Sequence, residues 1–190
     1  MRNHFFAYIG RMRNIARWAL MHNTYTENVQ EHSHMVAVLA HALAVIRLRV
    51  YGGTIDPGQV AAAALYHDAT EILTGDLPTP IKYYNPEIKD AYRKVEAVAE
   101  EKLLSMLPRE LRGDYETALR PDEQTHQLVK AADRLSAYIK CLEELKAGNM
   151  EFRRAAEQVR ASLDEMDLPE LKYFMEHCLE SFSMTLDELD

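Results

Sequence analysis

The sequence has few cysteines, an excess of negative over positive charge and no long apolar stretch. Only Cys141 and Cys178 are cysteines, and their wide spacing without a CxxC pattern excludes a disulfide framework and a zinc finger. The formal net charge of −8 argues against non-specific binding to nucleic acid or to an anionic membrane. Residues 32–46, the longest stretch without Asp, Glu, Lys or Arg, are fewer than the roughly 20 residues of a membrane span. We therefore expect a cytoplasmic protein that binds neither nucleic acid nor membrane.

Alternating strand patterns, internal repeats and low-complexity tracts are also missing, whereas helical periodicity occurs along most of the chain. This pattern predicts one all-α domain covering residues 1–190. One predicted helix begins at an Asp56-Pro57 N-terminal signal and continues to Gly75. A proline-rich loop, DLPTPIKYYNP, follows it. The other predicted helices cover, after an N-terminal stretch at 5–15, about residues 28–50, 87–107, 110–119, 123–147, 151–165 and 169–179.

The most informative feature is the pair His67-Asp68, which follows the apolar run VAAAALY. Two buried polar side chains at this point need a compensating partner, and a divalent metal ion is such a partner. On a continuous helix Glu71 would share their face, where it could orient a metal-activated water molecule or move its proton. The alternative is a solvated polar cluster at the C-terminal end of the helix.

Two further residues, His32 and Asp133, complete an H…HD…D order along the sequence. His32 begins the apolar run of the helix at 28–50, whereas His34 and His41 are expected to be ordinary core or surface residues. Asp133 flanks the apolar face of LVKAADRLSAYIKCL, where a surface salt bridge to a neighbouring Lys or Arg is an equal alternative to metal ligation.

Two more features could contact a ligand. Arg17-Trp18 combines a bidentate phosphate-binding group with a flat aromatic wall, although an ordinary core Trp beside a solvated Arg is the simpler interpretation. The segment GDLPTP, which begins at Gly75, is a stiff loop that either presents Asp76 and Thr79 to a sugar or only connects two helices.

The H…HD…D order resembles the HD-domain superfamily of metal-dependent phosphohydrolases, whose fold is a helical bundle. Longer motifs are similar to those of the bacterial 5′-deoxynucleotidases, and they extend over essentially the whole chain. These motifs are RWALM, TENVQEHS, LYHDATEILTGDLPTP, VKAAD and YIKCLEELKAGN. The resemblance implies an enzyme that hydrolyses 2′-deoxyribonucleoside 5′-monophosphates to nucleoside and phosphate, rejects ribonucleotides and forms a homodimer.

The resemblance also implies a role for each matching position. The implied metal ligands are His32, His67, Asp68 and Asp133, and Glu71 matches a catalytic carboxylate. Arg17 matches the catalytic residue that orients the phosphate. The implied substrate contacts are Arg17, Trp18 against the deoxyribose, His32, Asp68, Asp133, and the loop residues Asp76, Leu77, Pro78 and Thr79, with Asp76 facing the 3′-hydroxyl.

Two histidines and two carboxylates suit one divalent transition ion, and they do not discriminate among Mn, Fe, Co, Ni, Cu and Zn. Three other functions are compatible with the residues. They are another HD phosphohydrolase acting on dNTPs, cyclic nucleotides or alarmones, a catalytically silent nucleotide-binding regulator, and a helical interaction module. The GDLPTP segment argues against the first, and the complete ligand set with Glu71 argues against the second.

Overall fold

Helices make up most of the described part of the protein, and four of the α-helices begin at a residue whose side chain caps them. The computed structural model describes residues 3–78 and 85–189. In these two ranges no strand forms, and an isolated antiparallel bridge joins Ala16 to Asn28. The predicted all-α class is therefore confirmed. The α-helices are α1 Phe5–Ile9, α2 Val29–Arg49, α3 Pro57–Tyr66, α4 Glu71–Thr74, α5 Pro86–Ser105, α6 Arg112–Leu119, α7 Glu123–Lys146, α8 Arg153–Asp164 and α9 Pro169–His177.

Local capping explains where the central helices begin. The Asn28 side chain accepts hydrogen bonds from the backbone of Gln30 and Glu31, and Glu31 accepts one from the Asn28 backbone, so α2 starts with a capping box. Asp56 caps α3, and Pro57 occupies its first turn as predicted. Each cap satisfies backbone N–H groups that have no partner within the helix.

The main core lies where α2, α3 and α7 pack against one another. Small side chains such as Ala63 and Ala64 let α3 approach its neighbours closely, and larger side chains of α2 and α7 fill the remaining space. Burial of each leucine in this core contributes about 1.5–3 kcal/mol. The buried residues of this interface include Val36, Leu39, Leu43, Val60, Leu128, Leu135 and Ile139.

The predicted continuous helix from Asp56-Pro57 to Gly75 is wrong, because α3 ends at Tyr66 and α4 starts at Glu71. Between them the backbone bonds are those of a tighter turn. The Ala69 N–H donates to the Tyr66 carbonyl at 3.0 Å, and the Glu71 N–H donates to the Asp68 carbonyl at 3.0 Å. The predicted end at Gly75 is correct, since this glycine has a φ of +75°, which a residue with a Cβ rarely adopts.

Side-chain competition accounts for this interruption. His67 Nδ1 lies 2.7 Å from the carbonyl oxygen of Ala64, the group that would accept a hydrogen bond from Asp68 in a continuing α-helix. Residues 67–70 thus leave the α-helical path at the HD pair. Among the described residues, no helix has the length and apolar character that a membrane crossing requires.

Candidate metal and substrate site

Two of the three positions predicted from sequence, His32 and the pair His67-Asp68, come together, and the third, Asp133, lies beside them. His32 lies in the first turns of α2, His67 and Asp68 lie in the turn after α3, and Asp133 lies in α7. One potential ligand atom from each of His32, His67 and Asp68 lies within 4.8 Å of the others, an arrangement that can hold a metal ion. The solvated polar cluster considered above is not what the structure shows.

Asp133 lies at the edge of this three-residue group. Its Oδ1 is 3.0 Å from Nε2 of His32 and 3.9 Å from Nε2 of His67, and its side chain is 40% exposed. The neighbouring Arg134 donates instead to the carbonyl of Ser162 at 3.0 Å. Asp133 therefore faces the histidines, and the surface salt bridge considered from the sequence is not its main contact.

Both histidine rings present Nε2 to the carboxylates. The Ala64 carbonyl can accept only from a protonated Nδ1 of His67, which leaves the lone pair of the neutral ring on Nε2. That Nε2 atom is buried, lies 3.2 Å from Asp68 Oδ2, and makes no hydrogen bond with the described part of the chain. In the same way, Ser136 Oγ lies 3.3 Å from Nδ1 of His32. Contacts that orient ligand rings in this manner are typical of metal sites.

The charges of the cluster favour a cation. Burial lowers the pKa of His67, but Asp68 and Asp133 outweigh it and raise this pKa to about 9. Burial raises the pKa of Asp68, but His67, His32 and Arg17 lower it well below its usual range. The cluster thus stabilises added positive charge, and a bound metal ion would supply that charge while both rings stayed neutral. The donor set and its orientation fit a divalent transition metal.

Arg17 reaches the cluster from outside the helical core. Its Nη1 donates to Asp68 Oδ2 at 3.2 Å, its Nε donates to Glu27 Oε2 at 3.1 Å, and its side chain is 14% exposed. Arg17 is therefore not the solvated residue of the simpler interpretation. Burial lowers its pKa, but the charges of Asp68, Asp133, Glu27 and Asp76 together raise it above its ordinary value.

Trp18 stands beside this arginine in an unusual backbone conformation. Its φ of +55° is the one positive φ of a non-glycine residue among those described. The indole packs against Phe152, with ring centroids 5.3 Å apart, and its Nε1 donates to Glu27 Oε2 at 3.1 Å. Trp18 is half-buried as a whole residue, and it directly follows Arg17 in the chain.

The structure describes all but one of the remaining predicted site residues. Glu71 is 8% exposed at the start of α4, three residues after Asp68. Asp76, Leu77 and Pro78 are half-buried after Gly75, and the charge of Asp76 acts on Arg17. Thr79 lies outside the described residues. Separately, His34 and His41 are exposed, as expected for residues that take no part in the cluster.

Sequence reasoning missed the residues that hold the segment after Trp18. Glu144 in α7 accepts hydrogen bonds from the backbone of Thr24 and Tyr25, and it is paired with Lys140. Asn149 joins them through a 2.8 Å hydrogen bond to Glu144 Oε2. The i,i+4 spacing of Lys140 and Glu144 was a visible signal, but the same spacing is common on exposed helix surfaces.

Solved structures of other proteins define the class of this fold. An HD-domain phosphohydrolase from Listeria innocua superposes with a TM-score of 0.81 and 22% identity, over 94% of this chain and 88% of that chain. The HD phosphohydrolase of cyanophage S-2L, whose structure contains dA and one catalytic Zn²⁺ ion, superposes with a TM-score of 0.63 and 24% identity, over 92% of this chain and 96% of that chain. The fold is that of the HD-domain phosphohydrolases, as predicted.

Sequence similarity narrows the class further. Residues 4–182 match the family model described as 5′-deoxynucleotidase YfbR-like. A 5′-deoxynucleotidase of Vibrio parahaemolyticus is 51% identical over 190 residues, and one of Vibrio cholerae is 50% identical over 192 residues, with 98% of each chain covered in both cases. The chain belongs to the 5′-deoxynucleotidase YfbR-like family. The predicted family and its enzyme class, a phosphoric monoester hydrolase, are therefore confirmed.

Proposed function

We propose that this protein is a metal-dependent phosphomonoesterase that converts 2′-deoxyribonucleoside 5′-monophosphates to deoxyribonucleosides and phosphate. One observation carries the proposal: the guanidinium of Arg17 contacts Asp68, which is itself part of the His32–His67–Asp68 group. A side chain suited to binding phosphate thus lies against atoms suited to binding a metal ion. Relatives that share half of the sequence are named for this activity.

His32, His67, Asp68 and Asp133 would hold the metal. When bound, a divalent transition ion supplies Lewis acidity and a positive charge for the substrate phosphate and for an activated water. Any of Mn, Fe, Co, Ni, Cu and Zn suits these donors. In the proposal His32, Asp68 and Asp133 also border the substrate phosphate.

Arg17 and Glu71 would act on the reacting groups. The Arg17 guanidinium binds phosphate oxygens and stabilises the charge of the transferring phosphoryl group. Glu71 follows Asp68 by one turn, where its carboxylate orients the attacking water or accepts its proton. The phosphate is then released together with the neutral nucleoside.

Selectivity for deoxyribose would come from Trp18 and the loop after Gly75. The indole packs against the sugar, so that a 2′-hydroxyl is crowded and desolvated there. In this proposal Asp76, Leu77 and Pro78 contact the sugar as well, and Asp76 accepts a hydrogen bond from the 3′-hydroxyl. None of these proposed contacts distinguishes one base from another.

Two further properties belong to the proposal. The two cysteines are free, which agrees with a reducing cytoplasm.

On α5, the side chains of Ile88, Val95 and Val98 are exposed, and positions i, i+7 and i+10 lie on one helix face. We expect this face to contact a second copy of the chain in a homodimer, and Val98→Glu should produce a monomer in sedimentation velocity experiments.

Phosphate release from dAMP and from AMP tests the activity. The metal-loaded protein should hydrolyse dAMP much faster than AMP, and EDTA should stop the reaction until a divalent transition ion is restored. A protein that prefers dNTPs, cyclic nucleotides or alarmones as substrates would be another HD phosphohydrolase. Binding of dAMP without phosphate release would identify a silent regulator.

A further inference from the structure

We propose that Glu27 is a positioning residue that couples the phosphate-facing Arg17 to the sugar-facing Trp18, an inference that rests on the function proposed above. A single oxygen atom makes both connections. Glu27 Oε2 accepts a hydrogen bond from Arg17 Nε at 3.1 Å and another from Trp18 Nε1 at 3.1 Å. Two neighbouring side chains with different substrate contacts therefore share one carboxylate.

The backbone holds Glu27 opposite Arg17. The Arg17 N–H donates to the Glu27 carbonyl at 2.9 Å, next to the Ala16–Asn28 bridge. The following residue, Asn28, is the N-cap of α2, the helix that carries His32. Glu27 is thus fixed relative to the metal-ligating group, and its side chain is 16% exposed.

Two carboxylates orient the guanidinium of Arg17. Nε is bound to Glu27 and Nη1 is bound to Asp68. Because the guanidinium is planar, hydrogen bonds at two of its nitrogens fix both its plane and its direction. Without Glu27, the contact with Asp68 would leave the plane free to rotate about one bond.

Trp18 depends on the same carboxylate more strongly. The indole has a single N–H donor, and Glu27 accepts from it. Its backbone lies in the left-handed region, which is unfavourable for a residue with a Cβ and persists only when surrounding contacts hold it. The Trp18 carbonyl accepts hydrogen bonds from Met21 N and Asn23 Nδ2, whereas Glu27 holds the side-chain end.

Glu27→Gln tests the coupling because it keeps the size of the side chain and removes its charge. The kcat/KM for dAMP should fall about 10- to 100-fold, because the neutral amide oxygen of glutamine accepts the two hydrogen bonds more weakly than the carboxylate does. The preference for dAMP over AMP should fall as well, since the Trp18 wall moves. Glu27→Asp retains the charge but retracts the oxygen atom, and it should show the same two losses to a smaller degree.

Fluorescence provides a readout that does not depend on turnover. Trp18 is the one tryptophan of the chain, so tryptophan emission reports on this residue alone. Glu27→Gln should shift the emission to longer wavelength and increase quenching by acrylamide in the substrate-free protein. The matched control is Glu151→Gln, because Glu151 bonds to His22 in the same segment and has no hydrogen bond or ion pair to Arg17 or Trp18 in the described part of the chain. The control should leave emission, kcat/KM and sugar preference unchanged.

The outcomes separate this inference from the proposed function. If the parent protein releases no phosphate from dAMP, the proposed function is wrong, and the emission of Glu27→Gln still tests whether Glu27 holds Trp18. Unchanged emission, or an unchanged dAMP/AMP ratio in an active Glu27→Gln enzyme, would overturn the coupling. If Glu27→Gln does not fold by circular dichroism, Glu27→Asp decides by the same criteria.

Discussion

The buried carboxylate of Glu144 should be one of the most important stabilising groups of the protein. It is 0% exposed, and its partner Lys140 is 6% exposed. It accepts from Thr24 N at 2.9 Å, from Tyr25 N at 3.2 Å and from Asn149 Nδ2 at 2.8 Å. Replacement of Glu144 by Ala leaves the Lys140 ammonium buried without its carboxylate and releases the segment that begins at Trp18.

The size of the effect follows from the contacts that keep Glu144 charged. Burial raises the pKa of Glu144, but hydrogen bonds from Lys140, Asn149, Thr24 and Tyr25 lower it from 4.5 to about 2. At about 1.4 kcal/mol per pKa unit, this preference for the charged form amounts to about 3 kcal/mol. Removal of one partner from a buried ion pair typically destabilises a protein by about 3–5 kcal/mol. Glu144→Ala should therefore lower the free energy of unfolding by about 3–5 kcal/mol.

The pH dependence has a defined sign. Because folding lowers the pKa of Glu144, its contribution is fully present above pH of about 4.5 and is lost as the pH falls towards 2. The difference in unfolding free energy between the parent protein and Glu144→Gln should be largest near pH 7. It should shrink steadily below pH of about 4.5.

Urea denaturation at pH 7 and at a series of lower pH values measures these differences. The double variant Lys140→Met/Glu144→Leu is the matched control, because it removes both charges and leaves no buried ion. It should be more stable than Glu144→Ala. A loss below about 1 kcal/mol at pH 7, or a difference that grows on acidification, would refute the reasoning.

Three further predictions concern the site. Asp68→Ala and His67→Ala should abolish turnover and reduce the metal content found by elemental analysis. Their circular dichroism spectra should remain those of a helical protein. Normal metal-stimulated activity in Asp68→Ala would contradict the assignment of Asp68 as a metal ligand. Glu71→Ala should keep its metal and lose most of kcat, whereas loss of metal would make Glu71 a ligand. In steady-state assays, Trp18→Ala should reduce the ratio of kcat/KM for dAMP to kcat/KM for AMP by about 10- to 200-fold. Arg17→Ala should lower kcat/KM for dAMP and for AMP by the same factor, because both substrates carry the same phosphate.

Local signals in the sequence were sufficient to predict most helix ends. Asn28, Asp56-Pro57 and Gly148-Asn149 act through contacts within a few residues, so their meaning does not depend on the rest of the fold. Gly148, for example, has the positive φ of +86° that a helix terminus of this kind requires. Helix α7 ends at Lys146, one residue before the predicted end.

The interruption at His67 could not be predicted in the same way. The residues of VAAAALYHDATEILT favour a helix throughout, and the break results from a histidine ring that reaches the Ala64 carbonyl. That contact is local, but the position of the ring also depends on Asp133 of α7, whose Oδ1 lies 3.9 Å from its Nε2. Helix propensity therefore does not reveal the break.

Glu27 and Glu144 show a second limit of sequence reasoning. Glu144 contacts Thr24 and Tyr25 across about 120 residues of chain, and Glu27 contacts Trp18 across a loop closed by one bridge. Neither pairing follows from spacing, because an acidic residue at either position is equally suited to an exposed surface. Burial turns these common residues into structural ones, and burial is decided by the whole fold.

The balance of charge around Arg17 indicates why phosphate binding at this guanidinium would require a metal ion nearby. Four carboxylates, those of Asp68, Asp133, Glu27 and Asp76, act on this one guanidinium. A phosphate monoester carries up to two negative charges, so without a further cation these carboxylates would repel it more strongly than Arg17 attracts it. A divalent ion between His32, His67 and Asp68 would offset two of these four negative charges, so that together with Arg17 it would remove most of the repulsion. We therefore expect inorganic phosphate to bind measurably by calorimetry to the metal-loaded protein and at least about 10-fold more weakly after chelation. Equal phosphate affinity in both forms would show that Arg17 alone governs binding.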